Sequence, residues 1–73
     1  MKLSRSYASD IESALRINNF GNVARLVYRF GKYKGYPIHI IETKLERRVK
    51  ELRELGHDDI TIAQMIDEEW LHK

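Results

Sequence analysis

A chain of 73 residues with 13 Lys and Arg against 11 Asp and Glu has room for one small domain and carries almost no net charge. It contains no cysteine, which excludes disulfide bonds and thiolate chemistry. The opening residues lack the apolar run of a signal peptide, and no stretch approaches the roughly 20 apolar residues of a membrane span. We therefore expect a single domain over residues 1–73 in a reducing cytoplasm.

Charged and aromatic residues are nonetheless distributed unevenly. Residues 1–36 carry seven Lys or Arg against two acids, whereas residues 37–73 carry six against nine. Five of the seven aromatic residues lie between Phe20 and Tyr36. A domain near this size buries only ~60% of its unfolded surface, so some of these rings are expected to reach the surface. Exposed Tyr and Arg together favour a binding surface over a catalytic one.

The first helix is predicted to begin at Ser9, after a frayed or extended segment over residues 1–8. Ser9 and Glu12 have the spacing of a capping box, in which the Ser hydroxyl accepts a backbone amide and the Glu side chain reaches back. Asn18, Asn19 and Gly21 are expected to end this helix, and Phe20 is expected to fold back over it.

A second helix is predicted after Asn22, which is expected to cap it, and Gly31 is expected to end it. Four apolar residues share the i, i+3, i+4, i+7 spacing of one helical face, namely Val23, Leu26, Val27 and Phe30. The alternative is a β-hairpin of residues 23–30 with residues 36–41, because the segment is rich in β-forming residues. Strand alternation would mix charged and core residues on one face, so the helix is favoured.

Pro37 is predicted to open the longest helix, since its fixed φ and missing N–H suit a first turn. Apolar residues then recur every three or four positions, at Ile38, Ile41, Leu45, Val49, Leu52 and Leu55. Gly56 is expected to end the helix. The start has an alternative, because residues 38–41 are β-rich and could form an extended piece before a helix that begins near Glu42 or Thr43.

A last helix is predicted towards residue 73, where Thr61 and Gln64 offer a second capping box. The short connections suggest antiparallel helix neighbours. The predicted fold class is mainly α, a single small domain of three to four short helices, and the alternative is α+β with a short β-hairpin around residues 23–41. The predicted core consists of Ile11, Leu15, Phe20, Val23, Leu26, Val27, Ile41, Leu45, Val49, Leu52, Leu55, Ile62, Ile66 and Trp70.

The best candidate for function is the basic-aromatic stretch over residues 25–36. If the second helix forms, Arg25 and Arg29 lie on one face, one turn apart, with Lys32 just beyond. Cations with interleaved rings suit single-stranded nucleic acid, and they suit a protein interface equally well. The plainest alternative is a solvated face whose rings complete a small core. The candidate partner-binding residues are Arg25, Tyr28, Arg29, Lys32, Tyr33, Lys34 and Tyr36.

A secondary acidic patch is predicted at Asp67, Glu68 and Glu69. Acids in the last turn of a helix oppose the helix dipole, so contact with a basic partner surface would explain them, and a solvated helix face is the alternative. Trp70, which follows these acids directly, is expected to cover the core.

Catalysis finds little support in the sequence. There is no nucleophilic cysteine, no G-x-S-x-G motif and no glycine-rich phosphate loop. The histidines His39, His57 and His72 show no metal-ligand spacing. We therefore expect no enzyme activity, no catalytic residue, no metal, no cofactor and no small-molecule substrate.

Two long runs carry a resemblance over the whole chain, SRSYASDIESALRINNFGNVARLVYRFGKYKGYP and, further on, ETKLERRVKELRELG. Together with the length of 73 residues, they resemble the small RNA polymerase-binding transcription regulators of lytic Xanthomonas bacteriophages, which act as inhibitors and antiterminators. The candidate site residues above come from the residue pattern and not from this resemblance.

The resemblance implies a partner and a mechanism. It implies binding to the β′ and β subunits of host bacterial RNA polymerase near the RNA exit channel, in the cytoplasm of the host cell. It further implies inhibited initiation through displacement of the σ factor, together with antitermination. We expect a monomer that does not bind membranes and that can contact nearby nucleic acid. The alternative function is a small nucleic-acid-binding protein that uses the same basic-aromatic face.

Overall fold

Helices account for most of the chain in the computed structural model, which describes residues 6–72. They are α1 (Ala8–Arg16), α2 (Phe20–Phe30), α3 (Ile38–Glu54) and α4 (Asp59–Ile66), and a π-helical turn over Asp67–Leu71 continues α4. No strand occurs within these residues, so the prediction of a mainly helical fold is confirmed. The alternative hairpin around residues 23–41 is wrong, because α2 buries its apolar residues on one face and leaves Arg25 and Arg29 in solvent.

Helix α1 begins earlier than the capping box predicted, and Ser9 does not cap it. Tyr7 occupies the N-cap position without a side-chain hydrogen bond, and its carbonyl accepts from the Ile11 N–H at 2.9 Å. Tertiary contacts set this start. The Asp67 carboxylate accepts the Tyr7 N–H at 3.0 Å, and the Tyr7 ring stacks on Phe30 with ring centroids 5.5 Å apart.

The segment predicted to be frayed or extended falls partly inside the described chain. Residues 1–5 lie outside the described residues. Tyr7 is half-buried against the core, and Ala8 already belongs to α1. The prediction is therefore wrong at these two residues, because Tyr7, which precedes the helix, is held by residues more than twenty positions away.

Helix α2 is capped by Asn19 and not by Asn22. The Asn19 side-chain oxygen accepts the Asn22 N–H at 3.3 Å. The chain reaches Asn19 through Asn18, whose φ of 55° is left-handed, a conformation that Asn tolerates better than most residues. Gly21, which was expected to help end α1, therefore already lies in α2, and so does Phe20.

Helix α3 begins at Ile38, directly after Pro37, so residues 38–41 are helical and the extended alternative is wrong. The Pro37 carbonyl accepts the Ile41 N–H at 3.2 Å, which closes the first turn. The helix ends as predicted at Gly56, whose φ of 94° is left-handed. The His57 N–H then bonds the Leu52 carbonyl at 3.2 Å, in a Schellman motif that needs glycine at this position.

Helix α4 is capped by Asp58, so the capping box predicted at Thr61 is wrong. The Asp58 carboxylate accepts the Thr61 N–H at 2.9 Å, and interaction with the Thr61 side chain first, followed by this backbone hydrogen bond, lowers the pKa of Asp58. After Ile66 the backbone widens into the π-helical turn, in which the His72 N–H bonds the Asp67 carbonyl at 3.1 Å. The wider turn places both Trp70 and the residue after it against the core.

The core lies where α1 packs against α4 and α2 packs against α3. Eleven of the fourteen predicted core residues are buried. Phe20 and Leu26 are half-buried at its edge, whereas Leu55 is 71% exposed because it caps α3 where the chain leaves the helix. The prediction missed four small or terminal positions, Ala14, Ala24, Ala63 and Leu71.

Arg53 ties three elements together at one end of the molecule. Its guanidinium donates to the Leu15 carbonyl at 3.0 Å and to the Asn18 side-chain oxygen at 2.9 Å, both next to the end of α1. It also pairs with the Asp59 carboxylate at 3.2 Å, in the first turn of α4. This cation therefore satisfies the end of one helix and the start of another, and it belongs to the fold.

Candidate functional site

The predicted basic-aromatic stretch is divided by the structure into two surfaces. Helix α2 and the turn after it carry the first, which we call the α2 surface. The second, which we call the Tyr33 cluster, joins the same turn to α3. The α2 surface consists of Arg25, Tyr28, Arg29, Phe30 and Lys34, and the Tyr33 cluster consists of Lys32, Tyr33, Tyr36, Lys44 and Arg47.

The α2 surface exposes two rings on either side of a guanidinium. Tyr28 is 41% exposed and Phe30 is 51% exposed. Two shallow hollows, of about 520 and about 440 Å³, share Tyr28, Arg29 and Phe30 in their walls. The larger hollow continues to Arg25 and the smaller one to Lys34. The result is one continuous strip of cations and rings along the exposed side of α2.

The cations of this strip are not used by the fold. Arg25, Arg29 and Lys34 are exposed, and none of them forms an ion pair with another residue in the range 6–72. The Phe30 ring, in contrast, is supported by another ring. Tyr7 stacks on Phe30 with an interplanar angle of 15°, which holds the Phe30 ring in place at the surface. A rigid ring beside unpaired cations is the arrangement from which binding energy is most readily gained.

The Tyr33 cluster faces a different part of the molecule. The Tyr33 ring lies 5.0 Å from the Trp70 ring and 5.3 Å from the edge-on Tyr36 ring, measured between centroids. The ammonium groups of Lys32 and Lys44 lie 5.7 and 5.9 Å from the centroid of Tyr33. Tyr33 is half-buried against the core, so it is a supporting residue more than an exposed contact.

The turn after α2 lies close to the backbone of the π-helical turn, and this contact separates the two surfaces. The Lys32 N–H donates to the Trp70 carbonyl at 3.0 Å, which pins the turn after α2 to the π-helical turn. Gly31 directly follows the last residue of α2, as predicted, and its φ of −107° is one that any residue can adopt. It is needed for space instead, because a Cβ at Gly31 would overlap the Trp70 carbonyl oxygen and would lie 2.9 Å from the Val27 carbonyl oxygen.

The predicted acidic patch does not form a patch. Asp67 is only 6% exposed, and its carboxylate accepts the Tyr7 N–H at 3.0 Å and lies 3.1 Å from the His72 Nε2 atom. Glu69 forms a two-point hydrogen bond with Arg48. Glu68 alone is exposed without an ion pair within the described chain. These acids are mainly part of the fold, so their spacing in the sequence was misleading.

Arg48 is correspondingly unavailable to a partner. Its guanidinium donates to Glu69 at 3.0 and 3.2 Å and to Glu51 at 2.7 Å. The hydrogen bonds to these two carboxylates, those to Glu69 first, raise the pKa of Arg48 above its ordinary value. Trp70, which is 7% exposed, covers the core as predicted.

Sequence reasoning missed Phe30, Lys44 and Arg47. Phe30 has the spacing of the buried face of α2, but it lies at the last residue of the helix, where the core has already ended. Lys44 and Arg47 lie in α3, and only packing brings them beside Tyr33. No local sequence signal would have joined these cations to a turn more than ten residues earlier.

Comparison with family models, with curated proteins and with solved structures finds no significant match to this chain. No group of three His, Asp or Glu side chains between residues 6 and 72 is placed to hold a metal ion. None of the helices described above is long and apolar enough to cross a membrane. The function must therefore be argued from the two surfaces and from the sequence resemblance.

Proposed function

We propose that this chain is a phage-encoded transcription regulator that binds host bacterial RNA polymerase through its α2 surface. It acts without catalysis, inhibits initiation by displacing the σ factor and promotes antitermination. One observation carries the choice of surface. The α2 surface combines exposed rings with cations that the fold leaves unpaired, whereas Arg48 and Arg53 are occupied by internal carboxylates and carbonyls.

The chemistry of this surface favours a protein partner. Tyr, Arg and Phe are residue types that concentrate binding energy at protein interfaces, and here they line connected hollows into which a partner side chain can fit. Apolar side chains, Leu26 and Ile38, complete the wall of the larger hollow. Apolar walls with a cationic rim suit an acidic protein surface that inserts an apolar side chain.

The polymerase as partner rests on the resemblance of the runs over residues 4–37 and 42–56 to the Xanthomonas phage regulators. Contact with the β′ and β subunits near the RNA exit channel, and loss of σ, are taken from the same resemblance. A small helical chain with an unpaired basic strip is compatible with this role, because such a protein needs an interface and no active site. The unpaired cations would speed association and orient the chain on an acidic surface.

The test is capture of purified Xanthomonas RNA polymerase, core enzyme and σ-containing holoenzyme, on the tagged chain. The double variant Arg25→Glu/Arg29→Glu should lose about 2 kcal/mol or more of binding, a roughly 30-fold loss, because it places two like charges against the acidic partner. Its folding stability should stay within about 0.5 kcal/mol of the wild type, because both side chains are exposed and unpaired. Circular dichroism and thermal unfolding check the second expectation.

Lys50→Glu is the matched control, since Lys50 is an exposed cation of α3 that lines a different hollow. It should bind core enzyme as the wild type does. Capture of core enzyme with σ released into the supernatant would support the proposed mechanism. Full binding by the double variant would exclude the α2 surface, and failure of the wild-type chain to capture either form of the polymerase would exclude the function.

A further inference from the structure

The Tyr33 cluster is a second basic surface that the proposed polymerase contact does not use. Lys32 reaches it from the turn after α2, and Lys44 and Arg47 reach it from α3. Lys44 and Arg47 line a small hollow of about 230 Å³ whose floor is the Tyr33 ring packed on Trp70, and the Lys32 ammonium lies near the same ring. Packing has thus brought cations from two distant parts of the sequence to one place.

Three of these cations are not neutralised. Neither Lys32, Lys44 nor Arg47 forms an ion pair with any residue that the structure describes, although Arg48 in the same hollow is held by Glu51 and Glu69. The two ammonium groups lie over the Tyr33 ring, which partly compensates their mutual repulsion. Three positive charges around the Tyr33 ring would attract an anion with several charges, because the Glu51 carboxylate that lines the hollow is already paired with Arg48.

The cluster lacks the features that favour a protein partner. No exposed aliphatic side chain among the described residues lines it, and the Tyr33 ring is already packed between Trp70 and Tyr36. Tyr36 keeps 49% of its surface exposed. One exposed ring beside three unpaired cations is the combination that single-stranded nucleic acid uses, with phosphates on the cations and a base on the ring. We propose that the Tyr33 cluster binds the phosphodiester backbone of a single-stranded nucleic acid.

This strand would cross the hollow from the turn to α3. Its phosphates would contact Lys32, Lys44 and Arg47, and one unstacked base would lie on the exposed part of Tyr36. The contact does not depend on polymerase binding, because the α2 surface shares no residue with the cluster. It reads no sequence, since the cluster offers charge and a ring face, and the one carboxylate among the described residues that line the hollow, Glu51, is already paired with Arg48 at 2.7 Å.

The test measures the fluorescence anisotropy of labelled oligo-dT and oligo-rU of about 12 nucleotides with the isolated chain. Three phosphate contacts predict a slope near −2 in a plot of log K against log salt, a roughly 20-fold loss of affinity between about 50 and 200 mM salt. Lys44→Gln should make that slope shallower by about 0.7, because one contact is lost. Tyr36→Leu should weaken binding at least about fivefold with the slope unchanged, because stacking is lost without a charge.

Lys50→Gln is the matched control, since it removes the same charge from the same helix outside the cluster, and it should leave slope and affinity unchanged. If Lys50→Gln and Lys44→Gln lose the same oligonucleotide affinity, the strand is attracted by the overall charge of the chain. That result would overturn the proposed site. If Arg25→Gln/Arg29→Gln weakens oligonucleotide binding while Lys44→Gln does not, the strand binds the α2 surface. That result would also overturn the proposed site.

Two further arms separate the possible ligands. Comparison of oligo-dT with oligo-rU shows whether the 2′-hydroxyl contributes, and binding of either one supports the proposal. A labelled poly-Glu peptide that binds as tightly as the oligonucleotides, with the same dependence on Lys44, would mean an acidic-peptide site and would overturn the nucleic-acid assignment. Absence of binding to both oligonucleotides at the lowest salt would overturn it as well.

Discussion

The α2 surface and the C-terminal segment over residues 67–72 are both strongly charged in the sequence, and the fold treats their charges in opposite ways. In the C-terminal segment, Asp67 is buried against the Tyr7 N–H and Glu69 is held by Arg48. On the α2 surface, Arg25 and Arg29 remain in solvent with no ion pair to any other described residue. The first set holds the molecule together, and the second remains available to a partner.

This difference shows that a run of like charges does not by itself indicate a binding surface. What distinguishes the two regions is whether each charged group already has a partner inside the molecule. A charge with an internal partner has exchanged its hydration for hydrogen bonds and offers little to a second molecule. Three predictions test the comparison, from the largest expected effect to the smallest.

The largest difference is expected between the losses of folding stability when an aromatic residue of each region is replaced by alanine. Trp70→Ala should lower the free energy of unfolding by about 3–5 kcal/mol, because it removes a large buried side chain on which Tyr33 packs. A domain of this size has only about 4–11 kcal/mol of total stability, so the variant should be largely unfolded or melt far below the wild type. Tyr28→Ala on the α2 surface should cost less than about 1 kcal/mol. Urea unfolding followed by circular dichroism measures both, and equal losses would contradict the comparison.

A smaller difference in folding stability is expected when two adjacent acids of the C-terminal segment are each replaced by alanine. Asp67→Ala should lower the free energy of unfolding by about 1–3 kcal/mol, because it leaves the Tyr7 N–H without its acceptor. Glu68→Ala removes the neighbouring, exposed acid and should change stability by less than about 0.5 kcal/mol. Hydrogen exchange in the first turn of α1 should quicken only in Asp67→Ala. Similar stability in the two variants would mean that Asp67 is a surface charge after all.

The smallest effect is expected at Asp58, an acid that the fold uses although it is exposed. Its hydrogen bond with Thr61 lowers the pKa of Asp58 below the ordinary value of 3.8. Because the folded pKa is the lower one, this stabilisation is present above the unfolded value and disappears as the pH falls through the folded value. Asp58→Asn keeps an oxygen for the cap but cannot titrate. The wild type should therefore melt slightly above Asp58→Asn near neutral pH, and the difference should disappear as the pH falls below 3.8 and through the lower folded pKa.

A melting difference between the wild type and Asp58→Asn that is independent of pH would contradict the last prediction. The pairwise comparison cancels the other carboxyl groups, which titrate in both proteins. It thereby separates a local cap from the general acid sensitivity of a chain with 11 Asp and Glu.

Much of the fold could be predicted because its information is local. Helical spacing of apolar residues placed α2 and α3, and the left-handed glycine at position 56 ended α3 as expected. The predicted caps at Ser9, Asn22 and Thr61 failed. Each segment offers several polar residues that can cap, and the start of a helix depends on which one the neighbouring elements leave in position. At α1 the deciding contact comes from Asp67.

The candidate site was predicted in composition but not in arrangement. The seven residues singled out between positions 25 and 36 are distributed over two surfaces, because the turn after α2 is pinned to Trp70 and directs Tyr33 towards α3. Phe30 joined the α2 surface because the core ends one turn before it.

The sequence by itself determined the helical class, most of the core and the concentration of cations and rings in residues 25–36, since periodicity and composition are properties of neighbouring residues. Only the tertiary structure decided which charges are free. Whether a carboxylate meets an arginine or a backbone amide depends on packing between elements such as α3 and the π-helical turn, 21 residues apart at Arg48 and Glu69. Contacts between residues far apart in the sequence therefore decide which charged groups stabilise the fold and which remain available for binding.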